Sequence, residues 1–231
     1  ESVKVYDATI QFGEETDTGD PTGEVIRQEP LPEASEAEVE SILAGFVGEQ
    51  LQTPPPYSAV KYKGKPLYYY ARRGEKVNVE PRKITIYDID LVSYSKSQLQ
   101  IVISCSRGTY ARVLANDIAE ALSSAGHLCA LSRSRSGPFY AEDSINMEQL
   151  GSLVSAEDGH SWQQVLRGTG PREERVKWRH RDEVREALGP WLQKPLDALA
   201  HLPLAEAGIA DARRIRNGGG LPPAPAGVVD G

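Results

Sequence analysis

The sequence is poor in cysteine, methionine and histidine, and it contains no long apolar run. Cys105 and Cys129 are the only cysteines in 231 residues. Two cysteines make neither a disulfide framework nor a zinc pattern, and they suit a reducing, cytoplasmic setting. Cys105 lies on an apolar strand face, where an inert buried thiol is expected. No stretch approaches the ~20 apolar residues of a membrane-spanning helix. No signal peptide is visible either, so no membrane partner is expected. His127 has no neighbour spaced for a metal or for nucleophilic catalysis, which points to a structural histidine. The glycine triplet Gly218–Gly220 lacks the lysine and hydroxyl residue of a phosphate loop. Methionine occurs once, at Met147, and the chain opens on Glu1; a fragment or a trimmed product is expected.

What is present is charge, unevenly spread. The net charge is −7, which taken whole argues against a polyanionic partner. Residues 1–56 carry two basic and thirteen acidic side chains, whereas 57–112 carry eleven basic and four acidic. A basic segment inside an acidic chain is either a polyanion footprint or a solvated face paired with the acidic segment. The length allows one substantial core and a small second unit.

Along the chain, Lys4, Tyr6, Ala8, Ile10 and Phe12 alternate on one strand face. Tyr6 is on the more apolar side, where core packing is the plainer role. The acidic loop Gly13–Gly23 contains Asp17 and Asp20, but the calcium-loop pattern is incomplete, and an ordinary turn is favoured. A helix is expected over Ser35–Gly48, with Ser35 and Glu38 as a capping box and Gly48 as its end. Pro54–Pro56 form a stiff segment. Beyond it Lys61, Lys63, Lys65, Arg72 and Arg73 interleave with Tyr57, Tyr62 and Tyr68–Tyr70. Such a mixture offers phosphate contacts with stacking faces, or a tyrosine-rich edge under a charged loop. Pro66 and Gly74 bracket a short helix. Over Lys83–Tyr94 the apolar phase slips between Ile86 and Ile89, which predicts a bulge near Tyr87–Asp88.

The stretch from Leu99 to Leu122 reads as strand, turn and helix. Leu99, Ile101, Ile103 and Cys105 share one strand face. Gly108 suits a positive φ, Thr109 can cap, and Tyr110, Leu114, Ile118 and Leu122 form a buried helical stripe. Arg112 in the first helical turn opposes the helix dipole. With Arg107 it implies either an anion held between two arginines or two solvated side chains. Residues 151–194 turn polar and read as a surface insertion, with a helix over His180–Leu188. The tail is rich in glycine and proline.

The blocks KVYDA (4–8), TDTGDPTGEV (16–25), QTPPPYSAVKYKGKPLYYYARRG (52–74), CSRGTYARVLANDIAEAL (105–122) and HLCALSRSRSGPF (127–139), in this order, resemble the bacterial-type tRNA pseudouridine-55 synthases. The match resumes weakly at PLDALAHLPL (195–204) and departs over 151–194. The resemblance implies an α+β fold, a pseudouridine-synthase-like mixed and largely antiparallel sheet with flanking helices, incomplete at its N-terminus. The domains implied are a catalytic domain over 1–150, a polar insertion over 151–194, and over 195–231 a segment that could begin a small RNA-binding domain. It implies isomerisation of a T-loop uridine in tRNA: C1′–N1 cleavage, base rotation and C1′–C5 rejoining, with no cofactor and no metal. The uridine must leave its stack to react. By motif, Tyr6 would stack on the flipped base, Tyr110 would border the same pocket, and Leu131 would pack against the uracil. Arg112 would pair with the nucleophilic aspartate, and Lys61, Lys63, Arg72 and Arg73 would meet tRNA phosphates. That aspartate belongs to a Gly-Thr-Leu-Asp-Pro type motif that these 231 residues do not contain, so this chain alone is expected to be inactive. A monomer that binds the T-arm in the cytoplasm is expected. The alternative is a non-catalytic tRNA-binding module or RNA-folding helper, and beyond it a domain with no RNA role.

Overall fold

The computed structural model describes residues 2–146, 148–149 and a short 3-10 turn, Gly189–Trp191. The expectations for an insertion over 151–194, a helix over His180–Leu188 and the segment 195–231 lie outside the described residues, that one turn apart.

Among the described residues, ten strands and three helices follow in the order β1 (Lys4–Phe12), β2 (Glu14–Thr16), β3 (Val25–Gln28), α1 (Glu36–Ala44), β4 (Gly48–Gln52), β5 (Lys61–Tyr62), β6 (Lys65–Pro66), α2 (Leu67–Ala71), β7 (Arg82–Tyr94), β8 (Gln98–Cys105), α3 (Ala111–Ala121), β9 (Gly126–Ser136) and β10 (Phe139–Tyr140). Six strands form one sheet in the order β10-β9-β1-β8-β7-β4, and β2–β3 and β5–β6 are separate hairpins. Every pairing among the described strands is antiparallel. This is the α+β class with the antiparallel character expected from sequence.

One face of the sheet carries the core. Ala8, Ile10 and Phe12 of β1 and Leu99, Ile101, Ile103 and Cys105 of β8 are buried, as their alternation predicts. Ala111, Leu114, Ala115, Ile118, Ala119 and Leu122 of α3, with Val39 and Leu43 of α1, cover them. Burial of Cys105 raises its thiol pKa, consistent with an inert side chain.

The predicted bulge lies in β7. Ile86 faces Cys105 and Asp88 faces Ser104, which leaves Tyr87 as the extra residue. A second slip leaves Val92 over between Leu91 and Ser93. Strand β9 has no clean period, because its register against β1 shifts at two places. Ser35 and Glu38 form the capping box as expected. The helix they begin ends at Ala44, however, four residues before Gly48. Phe46 and Val47 close it with tightened i→i−3 hydrogen bonds, and Gly48, at φ +120°, opens β4.

Candidate nucleic-acid and catalytic site

The start of α3 is fixed from outside the helix. Thr109 does not cap it; its hydroxyl donates to the Ser106 carbonyl at 3.0 Å. Tyr110 is the N-cap and offers no side-chain bond. Instead Gln52, at the end of β4 and 5% exposed, grips the Tyr110 backbone. The Tyr110 N–H donates to Gln52 Oε1 at 2.8 Å, and Gln52 Nε2 donates to the Tyr110 carbonyl at 3.2 Å. Ser106 ties the preceding turn to β7: its N–H donates to the Thr85 carbonyl at 2.8 Å, and its hydroxyl accepts from the Thr85 N–H at 2.9 Å.

Arg112 and Asn116 lie one turn apart on the face of α3 that meets the β2–β3 hairpin. Asn116 donates to Glu15 at 3.1 Å. Arg112 has three acceptors: Nη1 donates to the Thr18 carbonyl at 2.8 Å and to Asp20 Oδ2 at 3.1 Å, and Nη2 donates to the Tyr57 carbonyl at 2.9 Å. A guanidinium has five N–H donors, so two have no partner among the described residues. The side chain is 26% exposed, which leaves it able to take a further anion.

Asp20 is therefore the carboxylate that faces Arg112 in this chain. The loop is a turn, and Asp20 within it pairs with Arg112. Asp20 also accepts from the Thr18 hydroxyl and from the Thr22 hydroxyl and N–H. Partial burial acts to raise its pKa, but the Thr22 and Thr18 bonds and the Arg112 charge outweigh it and hold the carboxyl below its ordinary value. A carboxylate so fully bonded positions the arginine and is a poor nucleophile. Asp17 stays within the loop wall, where it accepts from the Glu24 N–H at 2.9 Å and from the Tyr57 hydroxyl at 3.3 Å. Gly19 lets the loop approach: at φ +71°, a Cβ on it would stand 3.2 Å from Arg112 Cβ.

Lys4 pairs with Cys105 in register. The turn 106–110 thus leaves the sheet beside the start of β1, two residues from Tyr6. Tyr6 is partly buried against the core and faces Ile103 on one side and Arg133 on the other. Leu131 faces Ala8, so Tyr6 and Leu131 are diagonal neighbours on one face of the β1–β9 pair. Leu131 is 48% exposed. Tyr6 and Leu131 thus lie on neighbouring strands, and Tyr110 and Arg112 at the start of α3. Arg107 is exposed and has no ion-pair partner among the described residues.

Lys61, Lys63, Arg72 and Arg73 form a second group on β5, β6 and α2. Lys63, at φ 45°, and Gly64, at φ 81°, make the hairpin turn. Lys63 lies over Tyr62, Lys65 over Tyr69, Arg72 over Tyr68 and Arg73 over Tyr69, at 4.1–5.6 Å from the ring centroids. Arg73 is also paired with Glu75 at 2.6 Å. Tyr57, four residues before Lys61, links this stretch to the arginine site through its carbonyl, and burial with the Asp17 carboxylate raises its hydroxyl pKa.

His127 is buried, and its Nδ1 bonds the Glu14 carbonyl at 2.9 Å, a structural role. No group of three His, Cys, Asp or Glu side chains among the described residues is placed to hold a metal. No described helix is long and apolar enough to cross a membrane. A depression of about 390 Å³ is lined by residues such as Asp7, Thr9, Val92, Gln100, Val102 and Leu131; of the sequence-predicted site residues it includes Leu131 and none of the tyrosines or arginines.

Sequence reasoning missed Gln52 and Asp20. Asp20 with Thr22 carries an Asx-turn signal, but nothing local ties it to an arginine 92 residues away.

Residues 1–111 match the model of the TruB family pseudouridylate synthase N-terminal domain, and 112–170 match the tRNA pseudouridylate synthase B C-terminal domain. The tRNA pseudouridine synthase B of Francisella tularensis subsp. novicida is 48% identical over 151 residues, 65% of this chain and 50% of the relative. That of Bordetella pertussis is 46% identical over 158 residues, 68% of this chain and 65% of the relative. The chain thus spans about half to two thirds of the length of these relatives. Among solved structures, a Cbf5–Nop10–Gar1 complex aligns with a TM-score of 0.53 at 21% identity, over 87% of this chain and 44% of that one. An H/ACA RNP bound to a substrate RNA containing 2′-deoxyuridine aligns at 0.50 and 18%, over 87% and 43%. Both show a shared fold. The chain belongs to the TruB family of pseudouridylate synthases.

Proposed function

We propose that this chain is the base-binding part of a tRNA pseudouridine synthase that isomerises a T-loop uridine, by C1′–N1 cleavage, base rotation and C1′–C5 rejoining. The observation that carries the proposal is Arg112. It is held by Thr18, Asp20 and Tyr57 yet retains donors for another anion, on the helix that follows β8, the strand paired with that of Tyr6. In this reading Tyr6 stacks on the unstacked base, Tyr110 and Leu131 border it, and the remaining Arg112 donors hold the nucleophilic aspartate ionised. Lys61, Lys63, Arg72 and Arg73 meet tRNA phosphates from the tyrosine-backed surface. No cofactor is needed. The protein acts as a monomer in the cytoplasm, and the partner is the T-arm.

No Gly-Thr-Leu-Asp-Pro type motif occurs in the sequence, and Asp20 is already engaged by Thr18, Thr22 and Arg112. The chain alone is therefore expected to bind a T-arm hairpin without turnover. A tritium-release or nucleoside mass assay checks this; substantial pseudouridine formation would show that a residue within the chain serves as nucleophile.

A further inference from the structure

We propose that Gln52 is a positioning residue for the base pocket: its buried carboxamide, bonded to both backbone groups of Tyr110, sets where α3 starts and so aims Tyr110 and Arg112. The proposal rests on the functional reading above. Three observations carry it. First, α3 has no capping side chain of its own, so its N-cap backbone is held from outside the helix. Second, Gln52 contributes an acceptor and a donor together, at 2.8 and 3.2 Å. A buried amide with both ends engaged holds one backbone segment in one register, as a strand neighbour does. Third, the same short segment makes another contact with the site. Five residues beyond Gln52, the Tyr57 carbonyl accepts from Arg112 at 2.9 Å. Pro54, Pro55 and Pro56 lie between, each with φ locked by its ring, and Pro54 is buried.

The segment 52–57 thus acts as a stiff strap, clamped to Tyr110 at one end and to Arg112 at the other. Gln52 itself is held by β4, which pairs with β7 from Gly48–Ile86 to Gln52–Arg82. The sheet edge therefore sets the distance between the Tyr110 backbone and the Arg112 guanidinium. Gln52 has no need to touch the RNA; it acts through Tyr110.

The test uses the full chain and a T-arm hairpin with 2-aminopurine beside the target uridine, whose fluorescence rises when its neighbour unstacks. Affinity and fluorescence gain are read separately, with folding followed by circular dichroism. Gln52→Met keeps the length and volume of the side chain and removes both hydrogen bonds; Gln52→Ala removes the volume as well. Both variants are expected to stay bound through phosphate contacts, with affinity lower by about fivefold or more, the loss of a base–aromatic stack, so the fluorescence is read at saturating protein. Both should lose the fluorescence gain by about tenfold, since small misplacements around a site act strongly. A Gln52→Met chain that folds and unstacks the uridine like wild type would overturn the proposal, leaving Gln52 a space-filling residue. If Gln52→Ala does not fold, the Met variant alone decides. A wild-type chain that binds without any fluorescence gain would instead overturn the functional reading on which the proposal stands.

Discussion

Arg112 and Asp20 define the site at the scale of single residues. Arg112 makes three directed bonds that only a planar guanidinium can make together. Arg112→Lys keeps the charge and loses that fork. The variant is expected to be less stable by about 1–3 kcal/mol, the range for hydrogen bonds to charged groups, as read by urea denaturation at neutral pH. Asp20 gives a pH signature. Its carboxyl is lowered in the folded chain from the ordinary 3.8. The stability it contributes is therefore complete above that value and is lost as pH falls through the lowered one. Asp20→Asn is expected to be less stable than wild type at neutral pH, and the two urea midpoints should converge below pH 3.8; a constant gap would remove the ionised carboxylate from the account. Tyr6 tests the pocket directly. Tyr6→Ala is expected to weaken T-arm binding by about 1–3 kcal/mol, the contribution of a base–aromatic stack, as measured by fluorescence anisotropy.

At the scale of elements, the β2–β3 hairpin is the piece that completes the arginine site. It reaches α3 through Thr18, Asp20 and Glu15, and it reaches β9 through the Leu128 N–H, which donates to the Gly19 carbonyl at 3.1 Å. Gly19 is the tightest point of that approach, with a positive φ and Arg112 Cβ close by. Gly19→Ala is expected to destabilise the chain by about 1–2 kcal/mol through the left-handed conformation, with added crowding at Arg112, measured by urea unfolding. A neutral result would mean that the loop shifts without strain. The capping box of α1 and the closure after α2, where the Gly74 N–H donates to the Ala71 carbonyl at 2.9 Å and the Glu75 N–H to the Tyr70 carbonyl at 3.1 Å, are local devices by comparison; each is built from residues a few positions apart and needs nothing from the rest of the fold.

For the whole molecule, the acidic first quarter and the basic second quarter do not neutralise each other throughout. Among the ion pairs, Lys96–Glu33 and Arg112–Asp20 join the two segments. On the tyrosine-backed surface, Lys61, Lys63, Lys65 and Arg72 make no ion pair among the described residues. They can release counterions from a nucleic acid. Affinity for a T-arm hairpin is therefore expected to fall linearly with salt on a log–log plot, at about 0.7–0.9 of a unit per phosphate contact. Replacing Lys61 and Lys63 by alanine should flatten the slope by about two contacts' worth. A slope unchanged by the double substitution would place the RNA elsewhere.

The sequence by itself determined the elements whose cause is local. The alternation in β1 and β8 follows from a period of two, the stripe of α3 from a period near 3.6, and the cap of α1 from Ser35 and Glu38. The slip at Tyr87 was legible because a bulge changes which residues face inward. Strand β9 was not legible, because two register shifts erase its period, and β4 was hidden by a glycine that could equally end a helix. Only the tertiary structure decided the site. The partners of Arg112 stand 55, 92 and 94 residues away, and Gln52 stands 58 from Tyr110. A side chain's hydrogen-bonding capacity is written in its own chemistry. Which of several carboxylates and amides meets it depends on how the sheet edge and the hairpin close on one helix end, and no short-range pattern contains that.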